Sequence, residues 1–331
     1  MTFKNEVFSL WIGSSLSILE QTCINSFLEK GTVFILYIYN DIENVPTGTI
    51  IRDANTVVPF SEYKHYDNPS YFSNLFRYTL LYELGGIWVD MDLLCNQPID
   101  LSSEYIFSSE LKNDEQHTNA GIIGCPPKTI LMRDCIDEVK SIIHSKQNIK
   151  HGQLGPKVLK KYVSKHELEH YVLPYYVFCC YGFREIHTIF TIMNSINKLN
   201  DTTCIHLWNN VLSKEGIDKT VPLKGSIYSN LVNRYAPKRV KNITYKEHKI
   251  QEQNTLNLSD NCIFVAYNES EALCLKQQNP SSKIILIKHK VNAFLIQCNK
   301  LNTYVYDYVD KVIIHEESQS KFNNLKTLLK K

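Results

Sequence analysis

The first part of the chain alternates short apolar runs with longer stretches of helical periodicity. Residues 7–11 and 33–39 are apolar runs of strand length, and residues 17–30 between them repeat apolar positions at helical spacing behind a serine cap. Residues 50–53 predict a further short strand. This alternation predicts an α/β fold with a mostly parallel sheet and helices on both faces. Ligands of such sheets bind beyond the carboxyl ends of the strands.

The strongest pattern is a helix, a glycine stop and a strand in direct succession over residues 72–89. Gly85-Gly86 predicts the end of the helix in a left-handed turn, and the apolar residues 87–89 predict a short buried strand. Asp90 and Asp92 follow, and alternation along an extended chain predicts that both carboxylates point to the same side. The predicted buried face of the helix consists of Phe72, Leu75, Phe76, Leu80 and Leu84.

Two carboxylates at the end of a strand repel each other unless a positive group lies between them. Hard oxygen ligands suit Mn²⁺ or Mg²⁺, which also bind the phosphates of substrates. The alternative interpretation is a solvated acidic loop, because two acids at this spacing are common on protein surfaces. The preceding helix and strand favour the metal site. Trp11, Asp53 and Asp90 all fall at predicted strand ends, which places them at one edge of the sheet.

Composition narrows the class of protein. The chain has 331 residues, of which 44% are hydrophobic and 21% charged, and this is ordinary globular usage with enough apolar residues for a large core. A net charge of +2 argues against nucleic acid or an anionic membrane as partner. The sequence shows no transmembrane run and no signal-peptide pattern. Ten scattered cysteines without C-x-x-C predict reduced, mostly buried thiols and a cytoplasmic location.

The segment from Tyr71 to Pro98 resembles the sugar-binding D-x-D region of GT-A glycosyltransferases. It is most similar to the group of capsular and α-mannosyl or α-galactosyl transferases (glycosyltransferase family 32), with the clostridial glucosylating toxins as more distant relatives. Weaker matches follow in the same order along the chain, and the resemblance covers about residues 5–215. These matches include residues 10–13, Asn119–Ile123, Gly155-Pro156 and Ile205–Trp208.

The resemblance implies a GT-A fold, Rossmann-like, over residues 1–248. It also implies a metal-dependent hexosyltransferase that uses Mn²⁺ or Mg²⁺. The donor would be a nucleotide diphosphate sugar and the acceptor a hydroxyl group of a glycan or polysaccharide, with retention of the anomeric configuration. A protein side chain as acceptor stays open. Retention by double displacement requires a carboxylate beside the sugar. The sequence assigns no residue to that role. The hypothesis is therefore that the acceptor attacks on the same face of the sugar from which the diphosphate leaves.

The resemblance also implies roles for residues of the D-x-D region. The first acid would bind ribose and sugar hydroxyls, which assigns that role to Asp90, and the second acid, Asp92, would bind the metal. Asn74 occupies a position at which the group commonly has Asp. The asparagine can still hydrogen-bond with sugar or ribose hydroxyls, but it lacks the negative charge. Arg77 shares a helix face with Asn74 and would hold sugar or phosphate oxygens. The alternative for Arg77 is an ordinary surface ion pair.

Aromatic residues and a histidine complete the expected donor site. Trp11 is predicted to stack on the nucleotide base, with a core tryptophan as the alternative. His206 is predicted to bind the metal or the diphosphate, and Trp208 to lie over the sugar. The alternative for this pair is a buried histidine beside a packing tryptophan.

The loop regions contribute two weaker candidates. Asn119 is predicted to face the transferring sugar, and Gln153, before a helix that Pro156 opens, is predicted to contact the donor. The alternative for both is ordinary loop chemistry. The predicted catalytic residues are therefore Asp90, Asp92, Arg77 and Asn119, and the predicted metal ligands are Asp92 and His206. The predicted donor-binding residues are Trp11, Asn74, Arg77, Asp90, Gln153, His206 and Trp208.

The C-terminal part reads as a separate small α/β unit over residues 256–331, behind a polar segment at 246–255. Three strand–helix pairs predict half of a doubly wound domain. It is either an accessory unit or the start of a further domain, and a homodimer also stays open. The predicted strands are 262–267, 283–287 and 312–314, and the predicted helices are 270–277, 291–301 and 321–330.

Two functions from other classes compete with this interpretation. A phosphatase of the haloacid dehalogenase type also places D-x-D after a strand, but it expects a small or hydroxyl-bearing residue two places after the second acid. Leu94 stands there, and the motif does not follow an N-terminal strand. The other competitor is an inactive sugar-nucleotide-binding module, for which Asn74 is the only support.

Overall fold

A computed structural model describes residues 3–66, 68–145, 149–150, 152–191, 198–220 and 222–236, together with the backbone of four strands between residues 256 and 315. Contacts divide the chain into two compact units. One contains most of the described residues up to 236, and the other contains the C-terminal strands. The predicted boundaries, 1–248 and 256–331, stay a prediction.

The first unit alternates strands and helices along its length. Its elements are β1 Glu6–Trp11, α1 Ile18–Glu29, β2 Val33–Ile38, β3 Ile50–Asp53, α2 Pro69–Leu84, β4 Gly86–Val89, β5 Leu93–Cys95, β6 Ile106–Lys112, β7 Glu115–Cys125, α3 Ile130–His144, α4 Pro156–Lys165, α5 Tyr175–Phe178, β8 Cys204–His206, α6 Asn209–Lys214 and α7 Ile227–Tyr235. Short 3-10 helices lie at Ala54–Thr56, Phe60–His65, Glu169–Tyr171 and Ile186–Phe190.

A six-stranded sheet in the order β3-β2-β1-β4-β7-β6 organises this unit. The first four strands in that order run parallel, and β7 is antiparallel to both of its neighbours. A separate two-stranded sheet pairs β5 with β8. The carboxyl ends of β1, β3 and β4 therefore meet at one edge, as predicted for Trp11, Asp53 and Asp90.

Helices cover both faces of the six-stranded sheet because the side chains of its central strands alternate between two apolar clusters. Phe8 and Leu10 of β1 pack in the cluster formed with α2, α3 and α4. Val7 packs in the opposite cluster, which includes Ile24 and Phe27 of α1. The predicted fold class, a mostly parallel α/β sheet with helices on both faces, is confirmed.

Local signals explain where the first two helices begin. Ser17 caps α1, and its side chain and that of Glu20 form the reciprocal capping box that the sequence predicts. Asn68 caps α2, whose first residue is Pro69. Asn68 accepts a hydrogen bond from the backbone N–H of Tyr71 at 3.0 Å. These caps bind backbone N–H groups that have no partner within the helix.

The end of α2 differs from the prediction in two details. Gly85 has φ 64° and ψ −158°, so the chain leaves the helix with a positive φ but not in a left-handed helical turn. A Cβ at Gly85 would lie 2.5 Å from the backbone nitrogen of Pro127, so this position needs glycine. Leu84 is 54% exposed, and its predicted burial is wrong. It is the last helical residue, where the chain turns away toward β4.

The C-terminal unit contains β9 Leu256–Leu258, β10 Asn261–Ala266, β11 Lys283–His289 and β12 Lys311–His315. Its sheet has the order β12-β11-β10-β9, and β10, β11 and β12 run parallel. The three predicted strands are confirmed, and the antiparallel strand β9 was not predicted. The predicted helices 270–277, 291–301 and 321–330 lie outside the described residues. Among the described helices, none is both long and apolar enough to cross a membrane.

Candidate active site

The D-x-D motif lies in a turn that follows β4. The backbone N–H of Leu93 donates to the carbonyl oxygen of Asp90 at 3.1 Å, and the chain then enters β5, which belongs to a different sheet from β4. The ligand atoms of Asp90, Asp92 and His206 lie within 4.8 Å of one another. The turn, and not the alternation of an extended strand, therefore brings the two carboxylates together. The expectation of an extended chain through residue 92 is wrong.

Asp92 is held by the segment that joins β8 to α6. Because β5 and β8 pair with Leu93 opposite His206, His206 Nε2 lies 3.4 Å from Asp92 Oδ1. Asp92 Oδ2 accepts a hydrogen bond from the backbone N–H of Asn209 at 2.8 Å. Trp208, between these residues, has φ 51° and ψ 48°, a left-handed conformation that turns the chain into α6.

Asp92 and His206 stabilise each other's charged forms. Burial by itself would raise the pKa of Asp92, but the charge and hydrogen bond of His206 and the Asn209 N–H hold that pKa below its usual value. Burial would likewise lower the pKa of His206, and the Asp92 carboxylate raises it well above the usual value.

Asp90 is oriented by two buried side chains. Arg77 Nη2 lies 2.9 Å from Asp90 Oδ1, and the same oxygen accepts a hydrogen bond from Trp88 Nε1 at 2.8 Å. The Arg77 guanidinium lies over the Trp88 ring at 5.1 Å and also donates to the carbonyl oxygen of Ala120. Burial raises the pKa of Asp90; Arg77 opposes this rise and the charge of Asp92 adds to it.

Arg77 is only 6% exposed, so the alternative of an ordinary surface ion pair is wrong. Its further contact with Ser73 Oγ at 3.3 Å is also within the protein. These contacts make Arg77 a residue that positions and neutralises Asp90. The expected contact of Arg77 with sugar or phosphate oxygens stays a prediction.

The rings of His206 and Trp208 stack at a centroid distance of 4.0 Å and an interplanar angle of 15°. Trp208 Nε1 donates to the carbonyl oxygen of Tyr181 at 2.9 Å, which fixes the indole. His206 Nδ1 lies 3.8 Å from Cys179 Sγ, so the other ring nitrogen, Nε2, is the one that faces Asp92. His206 is therefore a buried histidine beside a packed tryptophan, and it also belongs to the metal-ligand group.

Asn119 and Gly121 of β7 lie next to this group. Asn119 is buried, and its Oδ1 accepts a hydrogen bond from the backbone N–H of Gly121 at 2.7 Å. A Cβ at Gly121 would lie 2.9 Å from Asn119 Oδ1 and 3.3 Å from His206 Cε1. The backbone N–H of Asp90 donates to the Gly121 carbonyl oxygen at 2.8 Å. Because Gly121 has no side chain, β7 can lie close to both Asp90 and the His206 ring. The contact of Asn119 with a sugar stays a prediction.

Asn74 of α2 packs against the loop before α4, and Gln153 lies within that loop. Asn74 Nδ2 donates to the Ser70 carbonyl oxygen at 2.8 Å, and a Cβ at Gly155 would lie 2.5 Å from Asn74 Oδ1. Gln153 Oε1 accepts from the backbone N–H of Lys150 at 2.9 Å. Asn74 lies one turn before Arg77, which contacts Asp90. The predicted donor contacts of Asn74 and Gln153 stay predictions.

Trp11 ends β1 at the carboxyl edge of the sheet and is half-buried. Its Nε1 is buried without a hydrogen-bond partner among the described residues. A Cβ at Gly13 would lie 2.9 Å from this nitrogen, so the glycine leaves room for the indole. Asp53, at the end of β3, accepts from the backbone N–H of Asn55 and caps a short helix. Stacking of Trp11 on a base stays a prediction.

Two side chains near the site were not singled out from the sequence. Glu20 Oε1 accepts from Asn209 Nδ2 at 3.1 Å, which connects the capping box of α1 to the residue that binds Asp92. Burial raises the pKa of Glu110 on β6, and the positive charge of His206 opposes the rise. In the sequence, Glu20 is recognisable only as part of a helix cap. An acid in a strand, such as Glu110, has no local sequence pattern that distinguishes it.

Family comparisons agree with this site. Residues 9–111 match a family model described as the glycosyltransferase sugar-binding region containing the DXD motif. Residues 63–222 match a model described as capsular polysaccharide synthesis protein. Both matches contain Asp90 and Asp92. These matches, over the residues that carry the motif, confirm the resemblance to glycosyltransferases with a D-x-D sugar-binding region. No curated protein sequence matches the chain significantly.

The chain is also similar to solved glycosyltransferase structures. The PaToxG glycosyltransferase has a TM-score of 0.40 and 14% identity, over 51% of this chain and 71% of that chain. The UDP-bound glycosyltransferase domain from the YGT toxin has a TM-score of 0.33 and 10% identity, over 65% of this chain and 78% of that chain. These values are too low to support a conclusion, and the fold class rests on the sheet order described above.

Proposed function

We propose that this protein is a metal-dependent hexosyltransferase that transfers a hexose from a nucleotide diphosphate sugar to a hydroxyl group of a glycan or polysaccharide, with retention of the anomeric configuration. The observation that carries this proposal is the Asp90–Asp92–His206 group, whose ligand atoms lie within 4.8 Å of one another. The group follows β4 inside the region that matches the sugar-binding family.

The chemistry of this group fits a divalent ion. Two carboxylates and one imidazole suit Mn²⁺, and Mg²⁺ is the second choice because it prefers oxygen ligands alone. Burial raises the pKa of Asp90, and the charge of the nearby Asp92 adds to that rise, so a cation between the two acids would relieve their repulsion. Asp92 and His206 would hold the ion. When bound, it would supply Lewis-acid stabilisation of the charge on the leaving diphosphate.

The side chains around this group provide the remaining contacts of the proposed donor site. Asp90, fixed by Arg77 and Trp88, presents its second carboxylate oxygen for ribose or sugar hydroxyls. Trp11 offers an indole for the base, and the stacked Trp208 offers one for the sugar. Asn74, Asn119 and Gln153 are further proposed donor contacts, and Asn119 is the one that lies beside the metal-ligand group.

The nature of the acceptor is supported by the capsular polysaccharide family match over residues 63–222. Retention is supported by the resemblance to family 32, and proton NMR of the product would test it. A product with inverted configuration would contradict this part of the proposal. A cytoplasmic location is supported by the seven described cysteines, all of which are free, buried thiols.

The experiment that tests the function measures nucleoside diphosphate release from a panel of nucleotide sugars, with Mn²⁺, Mg²⁺ or EDTA and with glycan acceptors. We expect release from one donor, abolished by EDTA and by Asp92→Asn. Asp114→Asn is the matched control, because Asp114 is exposed and its φ of 63° suits asparagine.

Other outcomes of the same assay distinguish the competing functions. Donor binding without release by the wild-type protein would favour an inactive sugar-nucleotide-binding module. Phosphate release from a phosphate monoester would favour a phosphatase. Normal turnover by Asp92→Asn would contradict the metal role of Asp92.

A further inference from the structure

Cys179 is a buried thiol that contacts the Asp90–Asp92–His206 group at its histidine. Cys179 Sγ lies 3.8 Å from His206 Nδ1, while Nε2 of the same ring lies 3.4 Å from Asp92 Oδ1. Cys179 is 1% exposed and His206 is 7% exposed. Among the residues that the structure describes, Cys179 is the hydrogen-bond partner of Nδ1. The proposed donor contacts leave this thiol without a role.

Backbone contacts fix the position of this thiol relative to His206. Cys179 ends α5, and its N–H donates to the carbonyl oxygen of Tyr175 at 2.7 Å. Cys179 also forms an antiparallel bridge with Ile205 of β8, the residue before His206. The position of the thiol is therefore tied to the strand that carries the histidine.

The packing around the His206 ring does not by itself decide where its nitrogen atoms point. Trp208 stacks on the face of the ring at a centroid distance of 4.0 Å, and a flipped ring would present the same flat face to the indole. Gly121 only leaves room at the edge of the ring. The orientation with Nε2 toward Asp92 is therefore selected by the polar partners of the two nitrogens. When a metal ion takes the lone pair of Nε2, the contact of Nδ1 with Cys179 is the hydrogen bond that keeps this orientation.

We propose that Cys179 is a positioning residue for the metal site: its sulfur accepts a hydrogen bond from Nδ1–H of His206 and keeps Nε2 directed at the ion held with Asp92. This inference rests on the proposed metal-dependent function. A neutral imidazole has one N–H and one lone pair, so a proton on Nδ1 leaves the lone pair of Nε2 free for the ion. Histidine ligands of metals generally donate their other N–H to a neighbour that fixes the ring. The thiol of Cys179 is that neighbour here.

Three variants of the full chain test this role: Cys179→Ala, Cys179→Ser and the control Cys135→Ala. Alanine removes the hydrogen-bond acceptor, whereas serine replaces the sulfur with an oxygen that can accept from Nδ1–H. Cys135 of α3 is also fully buried, but it packs in the cluster formed with α2 and α4 and not at the site. Its variant therefore reports the general effect of removing a buried thiol. Calorimetry measures the affinity for Mn²⁺, and thermal unfolding measures the melting temperature.

We expect Cys179→Ala to weaken Mn²⁺ binding about 10–100-fold, as removal of the partner of a histidine ligand does in other metal sites. Cys179→Ser should recover most of this loss. Cys135→Ala should bind Mn²⁺ as the wild type does, even where its melting temperature falls as much as that of Cys179→Ala.

The proposal is overturned if Cys179→Ala keeps the wild-type affinity, if Cys179→Ser binds as weakly as Cys179→Ala, or if Cys135→Ala shows the same loss. If the wild-type protein binds no Mn²⁺, the proposed metal dependence fails first, and this inference falls with it. If it binds Mn²⁺ but turns over no donor, the proposed transfer fails while the binding data still decide the role of Cys179.

Discussion

Each acid of the D-x-D motif is paired with a different positive side chain. Arg77 contacts Asp90 from α2, and His206 contacts Asp92 from β8. The pairs differ in kind, because arginine stays charged and histidine can give up its proton to become a ligand. This difference supports the proposed division of roles, in which Asp90 forms hydrogen bonds to the donor and Asp92 binds the metal.

Arg77→Lys tests the positioning of Asp90. A lysine ammonium cannot reach Asp90, Ser73 and the Ala120 carbonyl oxygen together, so buried acceptors would lose their partners. We expect a loss of about 1–3 kcal/mol in the free energy of unfolding and a clear fall in kcat. Urea denaturation and donor turnover measure the two effects. Arg133→Lys, at an exposed position, is the control, and an equal loss there would contradict the specific role of Arg77.

Gly121→Ala tests the close approach of β7 to His206. The backbone accepts alanine, but the new methyl group would lie 3.3 Å from His206 Cε1 and 2.9 Å from Asn119 Oδ1. Displacement of the imidazole should weaken Mn²⁺ binding about tenfold or more, which calorimetry would measure. Gly182→Ala, where the nearest atom would be 3.9 Å away, should bind Mn²⁺ as the wild type does. Unchanged affinity in Gly121→Ala would argue against His206 as a ligand.

At the scale of elements, the junction between α2 and β4 sets the positions of Arg77 and Asp90. The helix brings Arg77 to Asp90, and Gly85 then reverses the chain so that β4 can enter the sheet between β1 and β7. The turn after β4 sends β5 to pair with β8, which carries His206. The contiguous elements α2, β4 and β5 therefore meet the distant strand β8 at one short turn.

Gly85→Ala tests this junction. A Cβ there would lie 2.5 Å from the Pro127 nitrogen, and φ is 64°, so both contact and backbone strain oppose the substitution. Gly31→Ala is the control, because its φ is 78° and no atom lies within 4 Å of the new Cβ. Strain alone should cost Gly31→Ala about 1–2 kcal/mol in the free energy of unfolding. We expect a larger loss for Gly85→Ala, and equal losses would show that the contact with Pro127 is unimportant.

At the scale of the whole molecule, the described strands form a six-stranded, a four-stranded and a two-stranded sheet. The Asp90–Asp92–His206 group lies where β4 of the six-stranded sheet leads into the two-stranded sheet of β5 and β8. The C-terminal sheet contains three parallel strands of the predicted doubly wound half. The catalytic chemistry proposed above needs residues of the first unit alone.

Limited proteolysis of the full chain tests the predicted boundary. We expect the first cleavage between residues 245 and 260, because the segment 246–255 is polar and lies between the two predicted domains. Mass spectrometry would locate the cut, and donor turnover of the purified N-terminal fragment would show whether it is sufficient. Resistance of this segment to cleavage would count against an independent C-terminal module.

The sequence by itself determined the order and type of the elements from β1 to β4 and the location of the D-x-D motif. The capping box at Ser17, the proline at the start of α4 and the apolar runs of β1 and β2 are local signals, which act over one turn or one strand. The motif was recognisable because its helix, glycine stop and strand are contiguous. A resemblance in the same order along the chain pointed to His206 and Trp208.

Only the tertiary structure decided how these residues meet. The pairing of β5 with β8 brings His206 to Asp92, and the turn at residues 91–92 replaces the extended chain that alternation predicts. Leu84 is exposed because the chain turns away after it. The helical periodicity of a sequence does not show where a neighbouring element ends. Contacts between strands depend on register and on the path of the chain, which a local pattern does not contain.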